Sequence, residues 1–408
     1  MIEITAKLIR EHSAFLCGES VECLITFRNP ANNQHKISQS NYDILENLAW
    51  ATVQIHCYCN STLNDRNAID TNSLSKNITA STSLSARGNL TGNSEVLKST
   101  DPKILFCDLR LSPGESRQFL YRETIFLSTP PTYRGISIKY YYKITIATQR
   151  VGSTVQALNI PIRVLPLPTA MNNSEEETTF GDDQSNEDLA PNNPFLEKKK
   201  APSKIEYALH YLQNITARRR PNFYLITNKR GKVGRFCLFK SAYKLGEDIV
   251  GTLDFSCGTV KCVQLSVTLQ SEEIVLKKSS SSGTLERQNS QSETESTAPA
   301  ATGRITNFTK HHEVCLGLSQ TQMILPVPLY VTPTFSTDLV EVKWRLHFQF
   351  VTSTNEELNQ QINAEVLEWQ APTDISIETM IWNLPVTIYP TAPLQIPQSS
   401  GLYTLLIK

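Results

Sequence analysis

The chain has 408 residues, and its 39 Lys+Arg balance 39 Asp+Glu to a formal net charge of zero. That balance argues against a nucleic-acid wrapper held by phosphate neutralisation, which needs a basic excess or at least a basic face. Hydrophobic residues make up 40% and charged residues 19%. Both are low for a globular chain, so Ser, Thr, Asn and Gln fill the difference, either evenly or as polar tracts between packed cores.

The first residues, Met1-Ile2-Glu3-Ile4-Thr5-Ala6-Lys7-Leu8, alternate apolar and polar. A signal peptide would open with a positive region and a continuous apolar stretch. No run approaches the roughly 20 apolar residues of a membrane span, so a soluble, cytosolic protein is expected. Gly18-Glu19-Ser20-Val21 then leads into Cys23, Ile25 and Phe27, and Val53, Ile55, Cys57 and Cys59 repeat the two-residue period. Residues 60–101 are too rich in Ser, Thr and Asn to offset the entropy of ordering them, and read as an insertion. Pro131-Thr132-Tyr133 precedes Ile138, Tyr140, Tyr142, Ile144 and Ile146, which share one face. Asn159-Ile160-Pro161-Ile162-Arg163-Val164-Leu165-Pro166 closes the first half. Period two with one wet face is antiparallel sheet.

Residues 169–202 form an acidic linker ending in Lys198-Lys199-Lys200. Ser203 and Glu206 make a capping box, and Ile205, Ala208, Leu209, Leu212 and Ile215 follow with helical spacing. Arg218-Arg219-Arg220 suits a helix C-terminus, and Pro221 stops it. One amphipathic helix is therefore expected over 203–217, either bracing a sandwich or docking to another chain, the brace being favoured.

The second half repeats the first. Gly246-Glu247-Asp248-Ile249 leads into Gly251, Leu253 and Phe255, and Val263, Leu265, Val267 and Leu269 alternate. Pro333-Thr334-Phe335 precedes Val340, Val342, Trp344, Leu346, Phe348 and Phe350, and Asn383-Leu384-Pro385-Val386-Thr387-Ile388-Tyr389-Pro390 matches the end of the first half. Residues 277–304 and 354–372 are further polar insertions. Four matches in the same order predict an all-β chain of two tandem β-sandwiches. The boundaries are 1–168, a linker with its helix at 169–222, 223–393, and a tail at 394–408. The Gly-Glu turns tolerate positive φ, and the prolines in the closing strands place those strands at sheet edges.

These signatures resemble the arrestin fold: two sandwiches, each opening with a strand, a Gly-Glu turn and a second strand, each later carrying a Pro-Ser/Thr-aromatic turn. A narrower resemblance is to the Rgp family of retrograde Golgi transport proteins. It rests on Gly231-Lys232-Val233-Gly234-Arg235-Phe236 with Phe239-Lys240-Ser241-Ala242-Tyr243-Lys244-Leu245-Gly246-Glu247-Asp248, on Pro102-Lys103-Ile104-Leu105-Phe106-Cys107-Asp108-Leu109-Arg110-Leu111, and on Lys343-Trp344-Arg345-Leu346-His347-Phe348. Leu48-Ala49-Trp50-Ala51, Gln54-Ile55-His56-Cys57 and Asn193-Pro194-Phe195-Leu196-Glu197 also fit. The resemblance implies a partner, a large β-propeller subunit called Ric. It also implies a shared role in a guanine nucleotide exchange factor for the Rab-six class of Golgi GTPases, supporting endosome-to-Golgi retrograde traffic at the Golgi membrane surface.

Several residues are candidate sites. Pro130-Pro131-Thr132-Tyr133 matches a WW-domain ligand and would suggest an α-arrestin-type ubiquitin-ligase adaptor. Its place between strands, shared with Pro333-Thr334-Phe335, favours a structural turn instead. Arg218, Arg219, Arg220, Lys229, Arg230, Lys232 and Arg235 fall in a stretch without acids and are the candidate patch for an anionic membrane or an acidic partner, a solvated basic stretch being the plainer reading. His311, His312 and Cys315, or Cys57 and Cys59, lack zinc-ligand spacing, so no metal is expected. Phosphate-loop, nucleophile-elbow and zinc-protease motifs are missing from the sequence, and neither an enzyme active site nor a cofactor is expected.

Overall fold

The computed structural model describes residues 1–30, 45–61, 94–167, 204–276, 303–354, 374–397 and 401–407. Nearly all of the regular structure is strand. The first sandwich contains β1 (Ile2–Leu8), β2 (Ala14–Leu16), β3 (Ser20–Arg28), β4 (Glu46–Ser61), β5 (Ser94–Ser99), β6 (Lys103–Leu111), β7 (Ser116–Thr124), β8 (Tyr133–Arg134), β9 (Ile138–Arg150) and β10 (Gln156–Leu165). The helix α1 (Lys204–Ala217) follows. The second sandwich contains β11 (Asn222–Asn228), β12 (Gly231–Leu238), β13 (Ala242–Lys244), β14 (Asp248–Asp254), β15 (Cys262–Val275), β16 (Arg304–Val314), β17 (Gln320–Pro326), β18 (Phe335–Ser336), β19 (Val340–Ser353) and β20 (Ile377–Tyr389). A last strand, β21 (Tyr403–Ile407), lies near the chain's end.

Each sandwich pairs a four-stranded sheet with a larger one. The first has β21-β1-β3-β7 facing β2-β10-β9-β4-β5, with β6 also on β4 and β8 on β9. The second has β11-β12-β14-β17 facing β13-β20-β19-β15-β16, with β18 on β19. Ile4, Ile25, Phe27, Ile55, Ile144 and Ile160 meet in the first core. Phe236, Val267, Leu346 and Phe348 meet in the second. Burying such side chains contributes about 1.5–3 kcal/mol each.

The internal repeat holds to the level of individual hydrogen bonds. Gly18 has φ +81° and Gly246 φ +79°. At each, a Cβ would crowd a leucine, Leu127 or Leu329, so both turns require glycine. The following glutamates fold back alike: Glu19 accepts the Leu16 N–H at 2.8 Å and Glu247 the Lys244 N–H at 2.9 Å. Each also takes a cation, Arg10 or Lys240. The Pro-Thr turns match as well. Thr132 N–H donates to the Val164 carbonyl and accepts the Val164 N–H on its hydroxyl, and Thr334 does the same with Ile388. Tyr142 donates to the Pro130 carbonyl at 2.6 Å where Trp344 donates to the Thr332 carbonyl at 3.2 Å.

The proline-bearing strands β10 and β20 are not the sheet edges expected of them, since β2 and β13 lie beyond them, but the prolines fall outside the stretch that those outer strands cover. Pro161 lies opposite Lys143 and Pro385 opposite Arg345, while the short outer strands β2 and β13 cover just residues 163–165 and 387–389. Three other features differ from the sequence reading. The tract 60–101 is not wholly insertion, since residues 94–99 pair with β4 as β5. The tail is not free, since β21 pairs antiparallel with β1 and buries Ile407. The strand β4 is buried on both faces, Thr52, Gln54 and His56 included, and is paired along both edges, by β9 on one side and β5 and β6 on the other. Ser203, half of the capping box, falls outside the described residues, as do most of the polar tracts.

The helix α1 braces the second sandwich. Ala208, Leu212 and Thr216 are buried, and Ile205 and Leu209 pack against the second core. Lys240 donates to the Thr216 carbonyl at 3.1 Å, a cation at a helix C-terminus where the dipole favours it. No helix among the described residues is long and apolar enough to cross a membrane.

Candidate functional site

The two sandwiches meet where their repeated turns face one another. Tyr133 and Phe335, equivalent in the repeat, pack edge to face with ring centroids 5.2 Å apart. Around them Ile138, Tyr140, Cys59, Val340 and Val342 form an apolar cluster drawn from both sandwiches. Polar contacts frame it. Thr332 donates its hydroxyl to the Thr132 carbonyl at 3.1 Å, and Arg163 donates to the Val331 carbonyl at 2.8 Å. Burial, and then the neighbouring Arg134, lower the Arg163 pKa.

At the centre stands Glu273, a buried carboxylate on β15. It accepts the backbone N–H groups of Ile136 at 2.8 Å, Ser137 at 2.9 Å and Ile138 at 3.3 Å, all from the first sandwich. Burial, followed by the Glu273 charge, pushes the Tyr133 phenol well above its ordinary range. A carboxylate held by several amides is a strong, directional tie. Sequence reasoning missed it, because its partner Ser137 lies 136 residues away and β15 alone gives no sign of which amides face it.

Tyr133 is therefore built into the joint as part of β8, paired with Tyr140. A WW domain needs that tyrosine in an accessible extended segment. The structural-turn reading of Pro130-Pro131-Thr132-Tyr133 is the one that the geometry supports.

The basic residues do not form one compact patch. Arg218, Arg219 and Arg220 are exposed between α1 and β11. Lys229 and Arg230 occupy the turn at the far end of β11, and a seven-residue strand separates the two groups by about 20 Å. Arg230 lies 3.7 Å from Glu378. Arg235 pairs with Asp254 at 3.2 Å and holds its guanidinium 5.6 Å from the Phe223 ring centroid. Lys232 is partly buried on β12.

The other weighed residues lie apart from the joint's centre. His311 faces Glu313 at 3.6 Å. The buried Cys315 donates its thiol to the Glu313 carbonyl at 3.7 Å. Cys57 and Cys59 are both buried on β4, Cys59 reaching the joint cluster. Trp344 is core, Trp50 is almost fully buried, and Trp382 packs 4.8 Å from Phe348.

Comparison with known proteins covers both sandwiches. The Rgp1 family model matches residues 28–170 and 167–353. RAB6A-GEF complex partner protein 2 of Homo sapiens is 38% identical over 407 residues, spanning 96% of this chain and 96% of that protein. The protein of the same name from Bos taurus is 38% identical over 400 residues, spanning 95% of this chain and 93% of its own length. The chain, with its two repeated sandwiches and the joint between them, belongs to the Rgp1 family.

Proposed function

We propose that this chain is a non-catalytic scaffold subunit of a guanine nucleotide exchange complex. The complex acts on a Rab-six-class Golgi GTPase and supports endosome-to-Golgi retrograde transport from the cytosolic face of Golgi membranes. One observation carries the reading: 38% identity over 96% of both chains with a protein named for a RAB6A-GEF complex. Exchange breaks no covalent bond. It requires that the complex bind the nucleotide-free GTPase better than the loaded one, and a ~1000-fold faster release lowers a barrier by about 4 kcal/mol. A protein interface of about 1,600 Å² is the usual means of supplying such energy. Two sandwiches joined through a buried carboxylate suit a subunit that presents surfaces to others.

The expected partner is a Ric-type β-propeller subunit, with the GTPase bound by the pair. Affinity purification of the tagged chain from its own cells tests the partnership. Recovery of a large β-propeller protein at near-equal amounts is the expected result. Recovery of a WW-domain ubiquitin ligase, with no propeller protein, would contradict it.

A further inference from the structure

We infer that the open edge of β11 is a docking site for an extended segment of a partner polypeptide, one with acidic residues at both ends, which joins the sheet as a further strand. β11 ends its sheet, with β12 on one side and no strand beyond it among the described residues. An edge strand turns half of its N–H and C=O groups outward, where another chain can pair with them.

Sheet edges are ordinarily protected by charge, proline or bulges. The edge strand β7 carries Arg117, Arg122 and Glu123, and β16 carries Arg304, Lys310 and Glu313. The strand β11 reads Asn222-Phe223-Tyr224-Leu225-Ile226-Thr227-Asn228, with neither charge nor proline; its pairing with β12 shifts register between Ile226 and Thr227, so residues 222–226 form its regular edge. Its outward side chains are apolar: Phe223 is 64% and Leu225 61% exposed. Its inward side reaches the seam between the two sheets, where Tyr224 lies 5.2 Å from Trp382 and both are half-buried beside Met380. A strand added here would cover Phe223 and Leu225 from outside and cap that aromatic seam from within. β21 is also an uncharged edge, but Gly401 and Leu402 precede it and no basic cluster brackets it.

Charge at the two ends of β11 selects the occupant. Arg218, Arg219 and Arg220 lie before the strand, exposed and without an ion pair among the described residues. Lys229 and Arg230 lie after it; Arg230 lies 3.7 Å from Glu378, and Lys229 makes no ion pair among the described residues. The cations thus stand about 20 Å apart along a seven-residue edge. The matching segment has about seven uncharged, strand-forming residues with acids on both sides. A flat anionic surface would meet the arginines but leave the backbone edge unpaired.

The full chain is tested with a fluorescent synthetic peptide, Glu-Glu-Glu-Thr-Val-Thr-Val-Thr-Val-Thr-Glu-Glu-Glu. Its comparators are a version with Pro for the central Val, a version with Lys ends, and vesicles of phosphatidylserine and phosphatidylcholine. Amide hydrogen exchange over 222–228 and fluorescence anisotropy are the readouts. The acidic peptide should slow exchange over 222–228 and bind about tenfold more weakly when salt is raised to screen the end charges. The proline version should leave exchange unchanged, and the Lys-ended version should bind at least about tenfold more weakly, as like charges oppose at both ends. The variant Arg218→Glu/Arg219→Glu/Arg220→Glu should lose a similar factor, its fold being checked by circular dichroism, with the salt series on the unaltered chain as the independent measure. Four results would each overturn the proposal: unchanged exchange over 222–228 at millimolar acidic peptide; equal binding of the Lys-ended peptide; protection by vesicles but not by peptide; or prior protection of 222–228 that disappears on dilution, marking a second copy, or on deletion of 174–188, marking the chain's own acidic tract.

Discussion

The Ser137 N–H of the first sandwich donates to the Glu273 carboxylate of the second at 2.9 Å. Ile136 and Ile138 donate to the same carboxylate, and Ser137 itself is buried. Glu273→Ala leaves those amides facing a void. It is expected to cost about 2–4 kcal/mol, since each stranded buried donor costs about 1–3 kcal/mol. Glu273→Gln keeps the shape and one acceptor oxygen, so it should cost less. Urea unfolding of both variants checks the order, and equal stability of all three proteins would remove Glu273 from the account of the joint.

Tyr133 and Phe335 place equivalent rings of the repeat in one contact. Tyr133→Ala should destabilise the protein by about 2–4 kcal/mol, as loss of a packed aromatic does. A double-mutant cycle with Phe335→Ala should show a coupling of about 0.5–1.5 kcal/mol. If Tyr133 were instead a WW ligand, the alanine variant would fold as well as the parent and lose ligase binding.

The buried thiols give the protein an alkaline limit. Burial pushes Cys17 and Cys59 up to about 11 and Cys23 and Cys57 up to about 12, from an ordinary cysteine value of about 8.5. The fold therefore holds these groups protonated where an unfolded chain would release the proton. Their contribution is complete below the unfolded value and is lost as pH rises from about 9 towards 12. Tm should fall across that window. At pH 8, brief treatment of the native protein with a maleimide should label Cys107 and Cys257, the two exposed thiols of the nine, and mass spectrometry identifies them.

The strand β21 fills, beside β1, the place that β11 fills beside β12. Deleting residues 401–408 uncovers the β1 edge and removes buried Ile407, a loss of about 1.5–3 kcal/mol for that side chain alone. Amide exchange in β1 should accelerate while that in β14 and β17 stays as before. An unchanged β1 would show that the pairing contributes little in solution.

What the sequence made legible follows from locality. Gly18-Glu19 and Gly246-Glu247 announce themselves because a positive φ, a turn and a returning carboxylate all lie within a few residues. The aromatic alternation of β9 and β19 shows their inward faces for the same reason. The α1 stripe was readable, and its role as a brace was one of two open alternatives. Glu273 and the pairing of β21 with β1 depend on partners far along the chain, and no local pattern encodes them. The basic residues were legible as a run but not as two groups, because the strand that separates them is uncharged and its edge position is a property of the sheet.

As proposed, this chain is a scaffold within an exchange complex. The direct test is release of labelled GDP from a Rab-six-class GTPase, measured with the purified chain, with the propeller partner, and with both. Release should stay near the intrinsic rate with the chain alone and accelerate on the order of 1000-fold with the pair, equivalent to about 4 kcal/mol. Strong acceleration by the chain alone, or no difference between the partner alone and the pair, would contradict the proposal.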